Sequence, residues 1–370
     1  MYFIQIYIKK TIYLELILFK HFHISFWIKL EHYIKLKGHC MALKVAINGL
    51  GRIGRCVARI CADRDDVELV ACNASGAEDM IQYGLRYDSV HGNRKDIEVK
   101  DGFIHIGSDK AKLFAERDPA KLDFASLGVD VVLECTGAFL TQESVQPYID
   151  NGIKKVVLSA PAKDDTATFV MGANEHTYNG EKIVSNASCT TNGLAPVAKV
   201  LDDAFGIENG LMTTIHSYTG SQLILDGKHK KDPRKARAGA INLIPTTTGA
   251  AKAIAKVLPN LAGKINGQAI RIPTPNVSMV DLTVTLNKDV TVESVNQAFK
   301  EASLGSMQGI LGIDEEKRVS SDFNGEETST IVPMDTTQVV GDRMVKVLAW
   351  YDNEWGYSCR LVDMAVHISK

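Results

Sequence analysis

No run of about 20 apolar residues, the length a bilayer-spanning helix needs, occurs in this 370-residue chain. None of its seven cysteines forms a C-x-x-C pair or a disulfide-like spacing, so a reduced, cytoplasmic chain is expected. The six histidines after position 40 (His91, His105, His176, His216, His229 and His367) form no H-E-x-x-H type cluster, and no metal is expected. A formal net charge of −2 supplies no basic surplus for nucleic acid. Nor is the chain disordered by composition, with 45% hydrophobic residues. Neither a nucleic-acid nor a membrane partner is expected. The length suits two domains of ordinary size.

The composition has a seam. Residues 1–40 hold nine of the 26 aromatics and eight Ile, but no Ala, Val, Asp, Asn, Arg or Pro. Without Arg they do not read as a transit peptide, and Gly38-His39-Cys40 is a poor signal cleavage site. The expectation is translated upstream sequence with the true start at Met41, a non-native or disordered leader. An amphipathic membrane anchor is the alternative. The leader has six Lys and two Glu, and the remaining 330 residues carry 36 Lys and Arg against 42 Asp and Glu.

After the seam, apolar strand-like runs at 43–48, 67–73, 129–135, 155–159, 168–171 and 183–185 alternate with helical stretches. This predicts a mainly parallel α/β sheet covered on both faces. Beyond Cys189 the pattern predicts helices over 190–205, 248–258, 292–302 and 357–368. Strands are predicted over 211–219, 269–272, 280–286, 329–333 and 345–351. Pro196 is expected to weaken or bend the first of these helices. The polar stretch 220–239 is too long for an ordinary connection and points to function.

Gly49-Leu50-Gly51-Arg52-Ile53-Gly54 follows the first strand and opens a helix. Glycines there permit a tight turn and close backbone approach to a pyrophosphate, and the helix N-terminus favours an anion. A purely structural turn would use the same glycines but does not need this spacing. The carboxylate that would bind the ribose 2′-OH of NAD belongs about 20 residues on. Ala74 and Ser75 stand there instead, so NADP is favoured over NAD; Glu78 and Asp79 lie near enough to keep NAD open. Cys189, in Ser188-Cys189-Thr190-Thr191-Asn192, stands where a strand gives way to a helix. A thiol there is stabilised as thiolate and is a candidate nucleophile. His216 is a candidate base, though a lone strand histidine is more often structural. A thiol beside a nicotinamide site suits aldehyde oxidation through a thiohemiacetal and a thioester.

Four motifs carry a resemblance: 48–55 (Asn-Gly-Leu-Gly-Arg-Ile-Gly-Arg), 188–192, 271–278 (Arg-Ile-Pro-Thr-Pro-Asn-Val-Ser) and 350–357 (Trp-Tyr-Asp-Asn-Glu-Trp-Gly-Tyr). Together they resemble phosphorylating glyceraldehyde-3-phosphate dehydrogenases, over residues 42–370. The resemblance implies a Rossmann-type dinucleotide-binding domain (41–188 plus 352–370). It also implies an α+β catalytic domain with a mostly antiparallel sheet (189–351). It implies Cys189 as nucleophile and His216 as base, with Gly49, Gly51, Arg52, Ile53, Gly54, Ala74, Ser75, Arg117, Ser159 and Asn353 at the cofactor. Thr219 and Arg271 would hold the phosphate of glyceraldehyde 3-phosphate; Ser188, Thr190, Thr248 and Gly249 would hold the attacking inorganic phosphate. Arg234, in preference to Arg237, would add a guanidinium. The loop 218–241 would reach a neighbouring subunit of a homotetramer. Gly227-Lys228 and Ala74 depart from strictly NAD-specific members and match those that use NADP, often in the biosynthetic direction. The alternatives are an erythrose-4-phosphate dehydrogenase or a non-catalytic, redox-sensing binding protein.

Overall fold

The computed structural model describes residues 42–229 and 232–370; the expectations for residues 1–40 lie outside the described residues. Among the described residues the chain builds two eight-stranded sheets.

The first sheet begins with β1 (Leu43–Asn48), α1 (Arg52–Ala62), β2 (Val67–Asn73) and α2 (Glu78–Arg86). The strands β3 (Ile97–Lys100), β4 (Phe103–Ile106) and β5 (Asp109–Phe114) follow, then β6 (Val131–Glu134), α3 (Gln142–Asp150), β7 (Lys155–Leu158) and β8 (Ile183–Ser185). The spatial order is β3-β4-β5-β2-β1-β6-β7-β8. From β5 to β8 all pairs are parallel; β3-β4 and β4-β5 are antiparallel. Both faces are buried, as the continuous apolar runs require. Val45, Ile47, Val131, Leu133 and Val157 point to one core; Ala46, Val132, Val156 and Leu158 point to the other. Each fully buried aliphatic contributes about 1.5–3 kcal/mol. The winding reverses at β1, which has β2 on one side and β6 on the other. In open parallel sheets ligands bind at that reversal, beyond the carboxyl ends of the strands.

The expected strand at 168–171 is absent; Thr168 makes only an isolated bridge to Ser185. The reason is local. The Asn174 side chain accepts from the Val170 N–H at 2.8 Å and donates to the Thr168 carbonyl at 3.0 Å, taking groups a ladder would use.

The second sheet is built from β9 (Ile207–Ser217), β10 (Ile244–Thr247), β11 (Ile265–Ile272), β12 (Ser278–Leu286), β13 (Leu311–Asp314), β14 (Thr330–Pro333), β15 (Gln338–Val340) and β16 (Met344–Tyr351). Its order is β10-β11-β9-β12-β16-β14-β13, with β15 beside β16. Two of its pairs are parallel, β11-β9 and β13-β14, and the rest are antiparallel. Along β12, Ser278, Val280, Leu282, Val284 and Leu286 are buried and their neighbours are half-buried, the period of a strand with one covered face. The cover is α4 (Cys189–Phe205), with α5 (Ala250–Val257) and α6 (Val292–Leu304) against it. α4 runs through Pro196 without interruption; packing of its buried stretch, residues 190–198, outweighs one missing hydrogen bond. The last helix, α7 (Trp355–His367), returns to pack on α1, β6 and β7 of the first sheet. Among the described residues no helix is long and apolar enough to cross a membrane.

Candidate active site

The turn from β1 into α1 requires glycine at two points. Gly49 has φ +98°, and a Cβ on Gly54 would lie 1.9 Å from the Gly49 carbonyl oxygen. Beside Gly51 a Cβ would meet nothing within 4 Å, so this side of the loop is open. No side chain caps α1 and no carboxylate stands in its first turn. The first-turn N–H groups, those of Arg52, Ile53 and Gly54 among them, suit an anion. An open, uncapped helix start of this kind fits the pyrophosphate of a dinucleotide.

Beneath the loop lies a buried polar network that the sequence did not single out. The Asn48 amide donates to Glu134 and to the Tyr148 hydroxyl oxygen, each at 2.7 Å, and the Asn73 amide donates to Asn48 Oδ1 at 2.7 Å. Burial pushes the Glu134 carboxyl up, while donors from Thr136, Asn48 and Tyr148 oppose the rise. The Arg52 side chain points away from this network. Its guanidinium spans Asp88 and Glu354, and His91 Nε2 lies 2.9 Å from the same Glu354. At the loop, then, Arg52 offers its backbone N–H. Burial alone would raise Asp88, but Arg52 and the N–H groups of His91 and Val90 more than offset it and hold the carboxyl at about 2.

A depressed carboxyl contributes stability above its unfolded value and loses it as pH falls through the folded one. Asp88→Asn is therefore expected to cost about 1–2 kcal/mol near neutral pH and less as pH falls from about 4 to 2, checked by denaturant unfolding at several pH values.

At the end of β2, Ala74 is half-buried, Ser75 is exposed, and the Ala74 N–H donates to Phe114 O at 3.0 Å. The nearby carboxylates have other partners. Glu78 accepts from the Gly102 N–H at 2.7 Å and Asp79 from the Met80 N–H at 2.8 Å. Arg117 lies just beyond β5, its N–H donating to Glu116 at 2.7 Å, and Ser159 follows β7 with its N–H on Glu134 O at 3.0 Å. Asn353 is buried and accepts from Ser278 Oγ at 2.7 Å.

Cys189 is the first residue of α4. The elbow before it is strained: Ala187 has φ +56°, costly for a residue with a Cβ. The Tyr357 hydroxyl donates to the Ala187 carbonyl at 3.0 Å, and the Asn192 amide donates to Asn186 O and Ser188 O. Ser188 caps the helix, its Oγ accepting from the Thr191 N–H at 3.0 Å. Held this way, Cys189 Sγ lies 3.5 Å from His216 Nε2, although 27 residues and a change of sheet separate them. Thr190 is buried, its hydroxyl 3.0 Å from the Tyr351 hydroxyl, which also contacts Thr214 Oγ1 at 2.7 Å. The Tyr351 ring meets His216 edge-on. Tyr351 falls within the 350–357 motif, but nothing in the sequence marked it as a partner of Thr190 and His216.

The electrostatics differ from the helix-end expectation. Burial pushes the Cys189 thiol up, with the charge of Arg271 as the largest opposing influence. Burial, then Arg271, pushes the His216 imidazole down to about 3. Both shifts favour the neutral thiol and the neutral imidazole. Arg271 lies beside His216 in the β11-β9 register, with Nη1 2.6 Å from His216 Nδ1.

The other expected anion ligands are placed as follows. Thr219 Oγ1 is 2.9 Å from Ser221 Oγ, where β9 gives way to the long loop. Thr248 Oγ1 accepts from the Ala250 N–H at 3.2 Å and Gly249 is the N-cap of α5, with open space where its Cβ would be. Arg234 and Arg237 are exposed and paired with Asp232 and Asp226.

Two family models match the chain. The glyceraldehyde 3-phosphate dehydrogenase NAD binding domain matches residues 43–142, and the C-terminal domain of the same family matches residues 188–353. The chain is also 51% identical over 331 residues to glyceraldehyde-3-phosphate dehydrogenase A of Escherichia coli (strain K12). The same identity holds for the glyceraldehyde-3-phosphate dehydrogenases of Salmonella typhi and Shigella flexneri. Each alignment spans 89% of this chain and 100% of the relative. With half of all positions identical along the full length of each relative, the chain belongs to the glyceraldehyde 3-phosphate dehydrogenase family.

Proposed function

We propose that the protein catalyses the reversible oxidative phosphorylation of glyceraldehyde 3-phosphate to 1,3-bisphosphoglycerate, as a cytoplasmic homotetramer. The observation that carries this reading is the 3.5 Å approach of Cys189 Sγ to His216 Nε2 beside the Arg271 guanidinium. Sγ attacks the aldehyde carbon, and the thiol proton passes through Nε2 to the carbonyl oxygen, giving a thiohemiacetal. Nε2 then takes that hydroxyl proton as the carbon is oxidised to a thioester. When bound, the nicotinamide supplies the hydride acceptor. Inorganic phosphate held by Ser188, Thr190, Thr248 and Gly249 attacks the thioester carbonyl, the C–S bond breaks, and His216 returns its proton to Sγ. Arg271 and Thr219 bind the substrate's own phosphate, with Arg234 adding charge; Arg is suited to this by its planar fork of donors. Gly51, Ile53 and the Arg52 N–H would hold the pyrophosphate, and Arg117, Ser159 and Asn353 the two ends of the cofactor. Exposed Ile224 and Leu225 in the long loop support a covering subunit.

NADP is the preferred cofactor in this reading. No carboxylate stands at Ala74, and Glu78 is engaged by Gly102. The test is an assay of NAD and NADP, each with and without inorganic phosphate. Phosphate-dependent oxidation with NADP at least equal to NAD is expected. No phosphate dependence refutes the acyl transfer, and an excess of NAD over NADP beyond about tenfold refutes the preference. Ala74→Asp is expected to move the kcat/KM ratio towards NAD by about tenfold or more, equivalent to about 1.4 kcal/mol.

A further inference from the structure

Three residues that directly precede expected cofactor contacts are tied together under the glycine loop: Asn48 before Gly49, Asn73 before Ala74 and Glu116 before Arg117. Asn48 and Asn73 end β1 and β2, and Glu116 lies two residues beyond β5. The buried Glu134, which ends β6, joins them.

Backbone groups fix the direction of each hydrogen bond. The Glu116 N–H can only donate, and it donates to Asn73 Oδ1 at 2.9 Å. That leaves the Asn73 amide nitrogen as the donor, to Glu116 O and to Asn48 Oδ1, each at 2.7 Å. Asn48 is oriented in turn. Its Nδ2 donates to the Tyr148 hydroxyl oxygen and to Glu134 Oε2, each at 2.7 Å. The Tyr148 proton is left for Glu134 Oε2, 3.1 Å away. The other carboxyl oxygen is served in the same way. The Thr136 N–H donates to Oε1 at 2.9 Å. The Thr136 hydroxyl accepts from the Ala138 N–H at 3.1 Å and donates to Oε1 as well.

Four donors thus meet the two oxygens, and no acceptor does. Burial raises this carboxyl, but a proton placed on it would face only donors. The group is a carboxylate, and the chain of bonds depends on its accepting at both oxygens. Thr136 also touches the glycine loop itself: a Cβ on Gly49 would lie 2.9 Å from the Thr136 nitrogen.

We infer that Glu134 is a positioning residue for the dinucleotide: its carboxylate is the common acceptor that holds the loops after β1, β2, β5 and β6 at the spacing the cofactor spans. It acts through its neighbours, without contact to the cofactor. The inference rests on the proposed assignment of Gly49, Ala74 and Arg117 to the cofactor. It adds a buried residue of β6, a strand to which that assignment gives no part.

The test is Glu134→Gln, which keeps the shape and replaces one acceptor oxygen by a donor. The new NH2 faces either Asn48 and Tyr148 or Thr136, donor against donor. Titration of the full-length enzyme with NADP and with NAD is expected to give Kd values raised about tenfold or more. The KM for dinucleotide is expected to rise with them. The KM for glyceraldehyde 3-phosphate, whose proposed ligands belong to the second sheet and its loops, is expected to move by less than about threefold. A folded variant with unchanged Kd, or with both KM values raised alike, overturns the inference. Exchanging the charge supplies a rescue. In the double variant Asn48→Asp with Glu134→Gln, the new amide donates to the new carboxylate and to the Tyr148 oxygen, and Tyr148 donates to that carboxylate. Every partner is satisfied again, and the Kd is expected to return to within about threefold of wild type. A double variant that binds as weakly as Glu134→Gln overturns the inference. If Glu134→Gln does not fold, Tyr148→Phe, which removes one donor and keeps the carboxylate, is expected to raise the Kd about threefold or more, and an unchanged value overturns the inference. Wild-type enzyme that binds neither dinucleotide shows instead that the underlying reading has failed.

Discussion

Cys189→Ala is expected to lower kcat/KM for glyceraldehyde 3-phosphate by at least about 10⁴-fold while dinucleotide binding is retained. Without Sγ the aldehyde has no covalent attachment, and neither thiohemiacetal nor thioester can form. The variant should otherwise keep its architecture. The Ala187 elbow is held by Tyr357, Asn192 and the Ser188 cap, none of which uses the thiol. The glycine loop is built on β1 and α1, and its own turn does not depend on the thiol. Steady-state kinetics paired with a dinucleotide titration separates the readings. Retained oxidation rules out Cys189 as nucleophile. A wild-type protein that binds dinucleotide and responds to oxidants but oxidises no aldehyde would support the redox-sensing alternative.

What the sequence made legible was local. The loop Gly49-x-Gly-x-x-Gly, the helix start at Cys189 and the strands expected over 280–286 and 345–351, observed as 278–286 and 344–351, each carry their signal within a dozen residues. The strands at 97–100 and 103–106 escape a reading by pattern because each alternation, such as Ile97-Glu98-Val99-Lys100, lasts only four residues. What could not be read was long-range pairing. Arg52 meets Glu354 across 302 residues, and Tyr351 reaches Thr190 across 161. Side-chain competition was equally hidden. Ser188 Oγ accepts from the Thr191 N–H as the cap of α4, and the Arg52 guanidinium is held by Asp88 and Glu354, pairings that no local pattern announces. Burial also reverses a local expectation. A helix start lowers a thiol, but Cys189 lies against the core of the second sheet, and loss of hydration there outweighs the helix end.

His216→Asn is expected to slow hydride transfer by about 10²–10⁴-fold and to change the shape of the pH profile. In the wild type both shifts favour the neutral partners. The imidazole is held down to about 3 and the thiol is pushed above its ordinary value. Passing the thiol proton to Nε2 changes no net protonation of the pair, so kcat/KM should be flat between the two limits. It should fall only in strong acid, where the imidazole gains a proton. The base is competent above its folded pKa and lost below it. The asparagine amide that replaces the ring cannot take a proton. The variant must release the thiol proton to solvent, so its rate should rise about tenfold per pH unit through the neutral range towards the raised thiol value. Stopped-flow measurement of the first turnover across this range reads both effects. A variant with a flat profile and an unchanged first turnover would show that His216 packs against Tyr351 and Arg271 without acting as the base.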